Sequence, residues 1–298
     1  MRVRIGLGLG TQTVAGDAER FPPLVDAIER RAFDSLWLSE RLTTSAPDPL
    51  IALALAAGRT AKLKLGTSVL VVPGRNPVVL AKELASLDRL SGGRLLPALG
   101  LGAPVPAEHR AFGVEPKARA GLFDEAVGLM RRLWTEDDVH HEGDHFRVDG
   151  VSLLPRPVQQ PIDVWIGGTS PSELRRTGRL ADGWLPSFTV PGEAEAGWAT
   201  INQVAADHGR AIDREHFGVL VAYVRSALPD AIAGVVAARR PDLDPTEVVP
   251  VGIDRLRRQL ERFIAVGASK FVVVPVEEPL EWDGELDALV DALMPLET

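Results

Sequence analysis

Two kinds of hydrophobic pattern alternate along nearly the whole chain. Short runs that are apolar at most positions recur at residues 3–9, 35–38, 63–72, 94–101, 162–166, 183–185, 218–225 and 270–274. Between them, apolar residues fall at helical spacing with charges on the opposite side. Residues 17–32 are an example, with Phe21, Leu24, Val25 and Ile28 on one face. Runs apolar on both faces predict strands covered on both sides. Strict alternation of such strands with helices predicts a parallel sheet. Eight units within 298 residues suit a closed α/β barrel of the (β/α)8, TIM type better than an open sheet.

Punctuation agrees with this pattern. Asp48-Pro49 and Asn76-Pro77 each put a capping side chain before a Pro at the first helical position. Gly92-Gly93 stops the second of these helices. Ser170-Pro171-Ser172-Glu173 has the spacing of a capping box. Long amphipathic helices are expected over residues 117–134 and 253–266, and a last one over 285–293. Two stretches exceed a minimal barrel. Residues 137–154 alternate around Glu142-Gly143-Asp144 and read as a β-hairpin insertion. Residues 189–250 leave room for extra helices in the C-terminal third. Neither has the look of an independent unit, so residues 1–298 are expected to form one domain.

Composition narrows the chemistry. There are no cysteines, which excludes disulfides, thiolate metal sites and cysteine nucleophiles. A net charge of −8 argues against a nucleic-acid footprint or adhesion to anionic lipid. Every apolar run is broken by charge, Gly or Pro before it reaches membrane-spanning length. The N-terminal MRVRIGLGLG reads as a strand with no leader pattern, and a cytoplasmic location is the expectation.

In a barrel of this type the active site lies where strands run out into the loops before helices. Ile166-Gly167-Gly168-Thr169-Ser170-Pro171 joins a strand end to a capped helix through two glycines. Its amides and the helix dipole suit an anion, a phosphate above all; a plain tight turn is the alternative. Gly6-Leu7-Gly8-Leu9-Gly10 has GxGxG spacing with no helix opening at its third glycine, unlike a dinucleotide fingerprint. These glycines, with Gly100 and Gly102, are expected to leave room for a flat ligand. Ser39-Glu40-Arg41 brings a carboxylate and a guanidinium to the end of the second strand, either as working groups or as a solvated ion pair. His140, His141 and His145, with Glu142 and Asp144, look like metal ligands on paper. On a hairpin, however, neighbouring residues face opposite ways, and no metal is expected. His109 is better placed, just past the fourth strand. No Ser-His-Asp order or phosphate-binding Walker loop stands out.

Taken together, several segments resemble the luciferase-like monooxygenase superfamily, and within it the oxidoreductases that use the deazaflavin coenzyme F420. They are residues 33–40 (FDSLWLSE), 65–70 (LGTSVL), 77–94 (PVVLAKELASLDRLSGGR), Leu153-Pro155-Pro157-Val158-Gln159, 165–170 (WIGGTS) and 180–186 (LADGWLP). The resemblance implies a ring cofactor across the strand ends, coenzyme F420 or alternatively FMN, with a small-molecule substrate and a homodimeric assembly. It implies a non-proline cis bond at Ser68–Val69 behind the ring, a phosphate loop at Gly167, Gly168 and Thr169, and Glu40 near the ring's polar edge. Many relatives follow that acid with His, where this chain has Arg41, and sugar-phosphate-oxidising relatives carry an acid where it has Ala103. An Arg is no general base near neutral pH. It suits orienting a carboxylate or carbonyl, or stabilising an enolate. Three functions follow as expectations. They are deazaflavin-dependent hydride transfer, FMN-dependent monooxygenation fed by a partner reductase, and cofactor binding without turnover.

Overall fold

A computed structural model describes residues 1–11 and 17–298. The elements run β1 (Arg4–Leu9), α1 (Phe21–Arg30), β2 (Ser35–Leu38), α2 (Pro49–Arg59), β3 (Lys64–Val71), α3 (Pro77–Ser91) and β4 (Leu95–Gly100). Then come α4 (Pro106–Ala111), α5 (Arg119–Thr135), the antiparallel pair β5 (Val139–Glu142) and β6 (Arg147–Val151), β7 (Trp165–Ile166), α6 (Pro171–Leu180) and β8 (Gly183–Trp184). The last third holds α7 (Pro191–Asp207), β9 (Gly218–Tyr223), α8 (Asp230–Arg239), α9 (Pro245–Val248), α10 (Ile253–Ala265), β10 (Lys270–Pro275) and α11 (Trp282–Leu293).

Eight strands form one parallel sheet in the order β8-β7-β4-β3-β2-β1-β10-β9. Isolated parallel bridges from Trp184 to Phe217 and from Ser187 to Leu220 join its two edges. The expected (β/α)8 TIM-type barrel is the observed fold, with the hairpin at β5–β6 and the extra helices α8 and α9. No described helix is long and apolar enough to cross a membrane.

The caps form as the side chains dictate. Asp48 accepts from the amides of Leu50 and Ile51, and Asn76 from those of Val78 and Val79. Gly92 ends α3 in the left-handed conformation, at φ 72°. Two expectations need correction. The strand expected over residues 162–166 shrinks to Trp165–Ile166, because the Val164 amide is taken by the Asp182 carboxylate instead of a neighbouring strand. Helix α4 gave no sequence signal, since six residues are too few to show a period.

Most of the apolar core lies between strands and outer helices. A smaller one fills the barrel's interior around Trp37 and Trp165, whose rings meet edge to face at 6.4 Å. A methyl group at Gly66 would fall 2.2 Å from the Trp37 ring, and one at Gly183 would fall 2.4 Å from that of Trp165. Small residues on neighbouring strands thus make the space that these indoles fill, and the lower barrel is closed.

Candidate active site

Because the sheet is parallel, the loops after all eight strands gather on one rim. Above the tryptophans, the inward positions change character. Gly10, Ser39, Ser68, Gly100, Gly167 and Ala222 are all small and only partly buried, with Val69 standing among them. They leave the upper interior of the barrel lined by small, part-exposed positions.

The Ser68–Val69 peptide is cis, and the pairing of β3 with β4 shifts register between Ser68 and Leu70. Two neighbours hold this bulge from β2. The Ser39 hydroxyl donates to the Ser68 carbonyl at 2.8 Å, and the Glu40 amide donates to the Val69 carbonyl at 3.2 Å. Gly100 is there for the protein rather than for a ligand. A methyl group at that position would lie 2.5 Å from a Val69 methyl. Gly6 and Gly8 likewise give way to Ser35, Trp37, Val272 and Val274, and Gly102 to Val71. The expectation that these glycines clear room for a flat ligand is corrected accordingly. Neighbouring side chains occupy the space at Gly6, Gly8, Gly100 and Gly102.

Glu40 is buried, and both its oxygens are engaged. One accepts from the Val71 amide at 2.6 Å and the other from Arg75 at 2.5 Å. Burial pushes its carboxyl above the usual range, against the pull of those two donors. Arg75 also donates to the Val71 carbonyl and lies 3.6 Å from Asp48. Glu40 therefore ties β2 to the loop after β3.

Arg41 points to a different partner. Its Nε donates to Glu108 at 2.7 Å, and the Thr43 hydroxyl donates to the same oxygen at 2.9 Å. Glu108 sits on α4, its side chain 3% exposed, while that of Arg41 is 30% exposed. Burial raises the Glu108 carboxyl, but hydrogen bonds from Arg41 and Thr43 outweigh it and hold the group below its usual range. Sequence reasoning missed Glu108, because nothing local marks a Glu on one turn of helix. His109 follows it. Its Nε2 lies 3.0 Å from the Ala103 carbonyl and so donates to it, and the ring lines a small cavity with Val71, Gly102 and Phe112.

The glycine loop after β7 carries its own anion. Gly168 takes φ 93°, a conformation that favours glycine. The amides of Thr169 and Ser170 both donate to Glu173, at 3.1 and 2.9 Å, completing the capping box expected at Ser170. The expectation of amides open to an outside phosphate is corrected in that respect, because the helix's own third residue already satisfies them. The Trp184 indole donates to the Gly168 carbonyl at 2.8 Å. A groove of about 470 Å³ continues from Thr169 past Leu174, Trp184 and Gly197 to Arg240.

The hairpin histidines separate. His140 meets Asp149 and Asp138, whereas His141 meets Glu125 of α5 at 2.9 Å. Glu125 also takes the amides of His145 and Phe146, which pins the insertion to the barrel. Among the described residues no group of three or more His, Asp or Glu side chains is placed to hold a metal.

Comparison with known proteins adds the family. The model for luciferase-like monooxygenases matches residues 2–238. The chain belongs to that family. Among its relatives is the F420-dependent glucose-6-phosphate dehydrogenase of Intrasporangium calvum, 37% identical over 186 residues, which are 56% of this chain and 55% of that protein. Another is the phthiodiolone/phenolphthiodiolone dimycocerosates ketoreductase of Mycobacterium kansasii, 31% identical over 63% of this chain and 48% of its own. The chain thus spans about half the length of the curated relatives it matches. Similar folds include an F420-dependent secondary alcohol dehydrogenase holding an F420-acetone adduct, with a TM-score of 0.84, 19% identity and full coverage of both chains. A monooxygenase from Streptomyces bottropensis gives a TM-score of 0.80 at 22% identity, covering 98% of this chain and 99% of its own.

Proposed function

We propose that this family member is an oxidoreductase that uses coenzyme F420 to move hydride to or from a small organic substrate. The observation that carries the reading is the set of small, part-exposed residues around Val69 at the strand ends; the amides of Thr169 and Ser170 on the rim are held by Glu173. A deazaflavin supplies two-electron hydride chemistry and has carbon where a flavin has its oxygen-reactive nitrogen. The name of the F420-dependent glucose-6-phosphate dehydrogenase among the relatives supports that cofactor over FMN.

In this reading each residue has a physical task. Val69, lifted by the bulge, backs the ring, with Gly100 admitting its side chain. Glu40 and Ser39 fix the bulge from β2, so Glu40 serves catalysis through Val71 and the Ser68–Val69 bond. Gly168, at φ 93°, would let the loop approach a phosphate, which the amides of Thr169 and Ser170 would hold in place of the Glu173 carboxylate. Arg41 faces the substrate. Glucose 6-phosphate is not carried over, because Ala103 and Arg41 supply neither an acid nor a base at those two positions.

Titrating the purified protein separately with F420 and with FMN, and following each cofactor's absorbance and fluorescence, tests the assignment. Saturable binding of F420 at low micromolar concentration, at least about tenfold tighter than FMN, is expected. Preference for FMN, with oxygen uptake when reduced FMN is supplied, would replace the assignment by monooxygenation. Binding of neither would remove it.

A further inference from the structure

We propose that Glu108 is a positioning residue, which holds Arg41 by one edge so that the rest of its guanidinium forms a fork for the oxygen of a carbonyl substrate. A guanidinium has five N–H donors in a rigid plane. Here Nε is used by Glu108, and the two Nη groups make no hydrogen bond to any described residue. The side chain is neither buried nor loose: its stem is fixed from α4 and its outer edge is part-exposed at the rim.

Three features make Glu108 an anchor rather than a chance partner. It is almost fully buried, so it cannot swing away into water. It accepts from Arg41 and from Thr43, on either side of Leu42, so it fixes the loop after β2 as well as one side chain. It also neighbours His109, and both residues line the cavity whose other walls include Val71, the end of β3, and Gly102, just past β4. Glu108 therefore sits at the rim against Val71, two residues along β3 from Val69.

The chemistry follows from the charge balance. A guanidinium already paired with a carboxylate has little net charge left to attract an anion, but keeps two well-directed donors. That suits a neutral carbonyl that becomes negative only during reaction. Were a reduced deazaflavin to deliver hydride to the carbonyl carbon, the π pair would move onto oxygen. The Nη fork would then hold that oxygen, and water would supply the proton, since Arg cannot. The carbonyl class rests on the hydride-transfer reading above, whereas the positioning of Arg41 by Glu108 does not.

Cyclohexanone is a suitable probe, with its binding to the protein followed by saturation-transfer NMR and cyclohexanol as the control. The wild-type protein is expected to bind the ketone saturably and better than the alcohol. Arg41→Ala, Arg41→Lys and Glu108→Ala should each weaken it by about fivefold or more, the worth of roughly one hydrogen bond. Glu108→Gln, which keeps an acceptor for Nε, should stay within about twofold. If Glu108→Ala does not unfold cooperatively on heating, Glu108→Asp takes its place, its carboxylate being too short to reach Nε. Wild-type affinity in Glu108→Ala, or equal loss in Glu108→Gln, overturns the positioning role. Failure of the wild-type protein to bind cyclohexanone overturns the carbonyl class. Titrating the same samples with F420 separates the two readings. Uptake of F420 without ketone binding sinks this inference alone, and ketone binding without F420 uptake sinks only the cofactor assignment.

Discussion

Glu40, Glu108 and Glu173 all lie on the rim of the barrel, and their surroundings give each a different character. Glu40 is pushed towards its neutral form by burial, although Arg75 and the Val71 amide oppose this. Glu108 is held ionised by Arg41 and Thr43. Glu173 is exposed enough to leave, and what it holds is two backbone amides that a phosphate would also seek. Replacing it by Ala removes that internal competitor. Glu173→Ala should therefore bind F420 several-fold more tightly, while losing about 0.5–2 kcal/mol of stability with the cap. Fluorescence titration and thermal unfolding measure the two effects. An unchanged or weaker affinity would mean that the phosphate does not sit on those amides.

At the scale of elements, helices α2 and α3 leave large apolar side chains uncovered. Ile51 and Leu55 on α2 and Val79 on α3 are 72%, 43% and 54% exposed, and the two helices pack side by side. Large apolar side chains exposed on two adjacent helices favour association with a second surface. We propose that a second copy of this chain covers them, as the family resemblance suggests. Light scattering should give a dimer for the wild-type protein and a monomer for Ile51→Glu/Val79→Glu, with F420 binding kept. A monomeric wild type, or a dimer that survives both charges, would assign the contact elsewhere.

For the whole molecule, the end of the barrel opposite the rim sets a pH dependence. Lys270 on β10 is buried and donates to Asp34 at 2.6 Å, with Lys64 and Arg4 on the same carboxylate and Glu297 close by. Burial lowers the Lys270 ammonium to about 8, against the pull of Asp34. Its folded-state value thus lies below the unfolded value of 10.5. Between those limits the unfolded chain holds more proton, so stability contributed by this group rises with pH. Urea unfolding at about pH 7.5 and pH 10 should show the wild type gaining on the order of 1–3 kcal/mol relative to Lys270→Met. An equal response in both proteins would show Lys270 titrating as it does in the unfolded chain.

Much of this architecture is already present in the order of residues. Strands apolar on both faces, helices with one apolar face, and caps at Asp48, Asn76 and Ser170 are local facts, decided by neighbours within a few positions. They suffice to specify eight βα units and the rim on which chemistry gathers. The partners on that rim were not legible. Arg41 and Glu108 are 67 residues apart, and Glu40 and Arg75 are 35 apart. Gly100 matters only because Val69 is lifted towards it from the neighbouring strand. Such pairings depend on the register between strands and on how a six-residue helix settles over the rim, and no periodicity within either segment carries that information. Local hydrophobic order thus fixed which elements form and in what sequence. Closure of the barrel decided which charges meet.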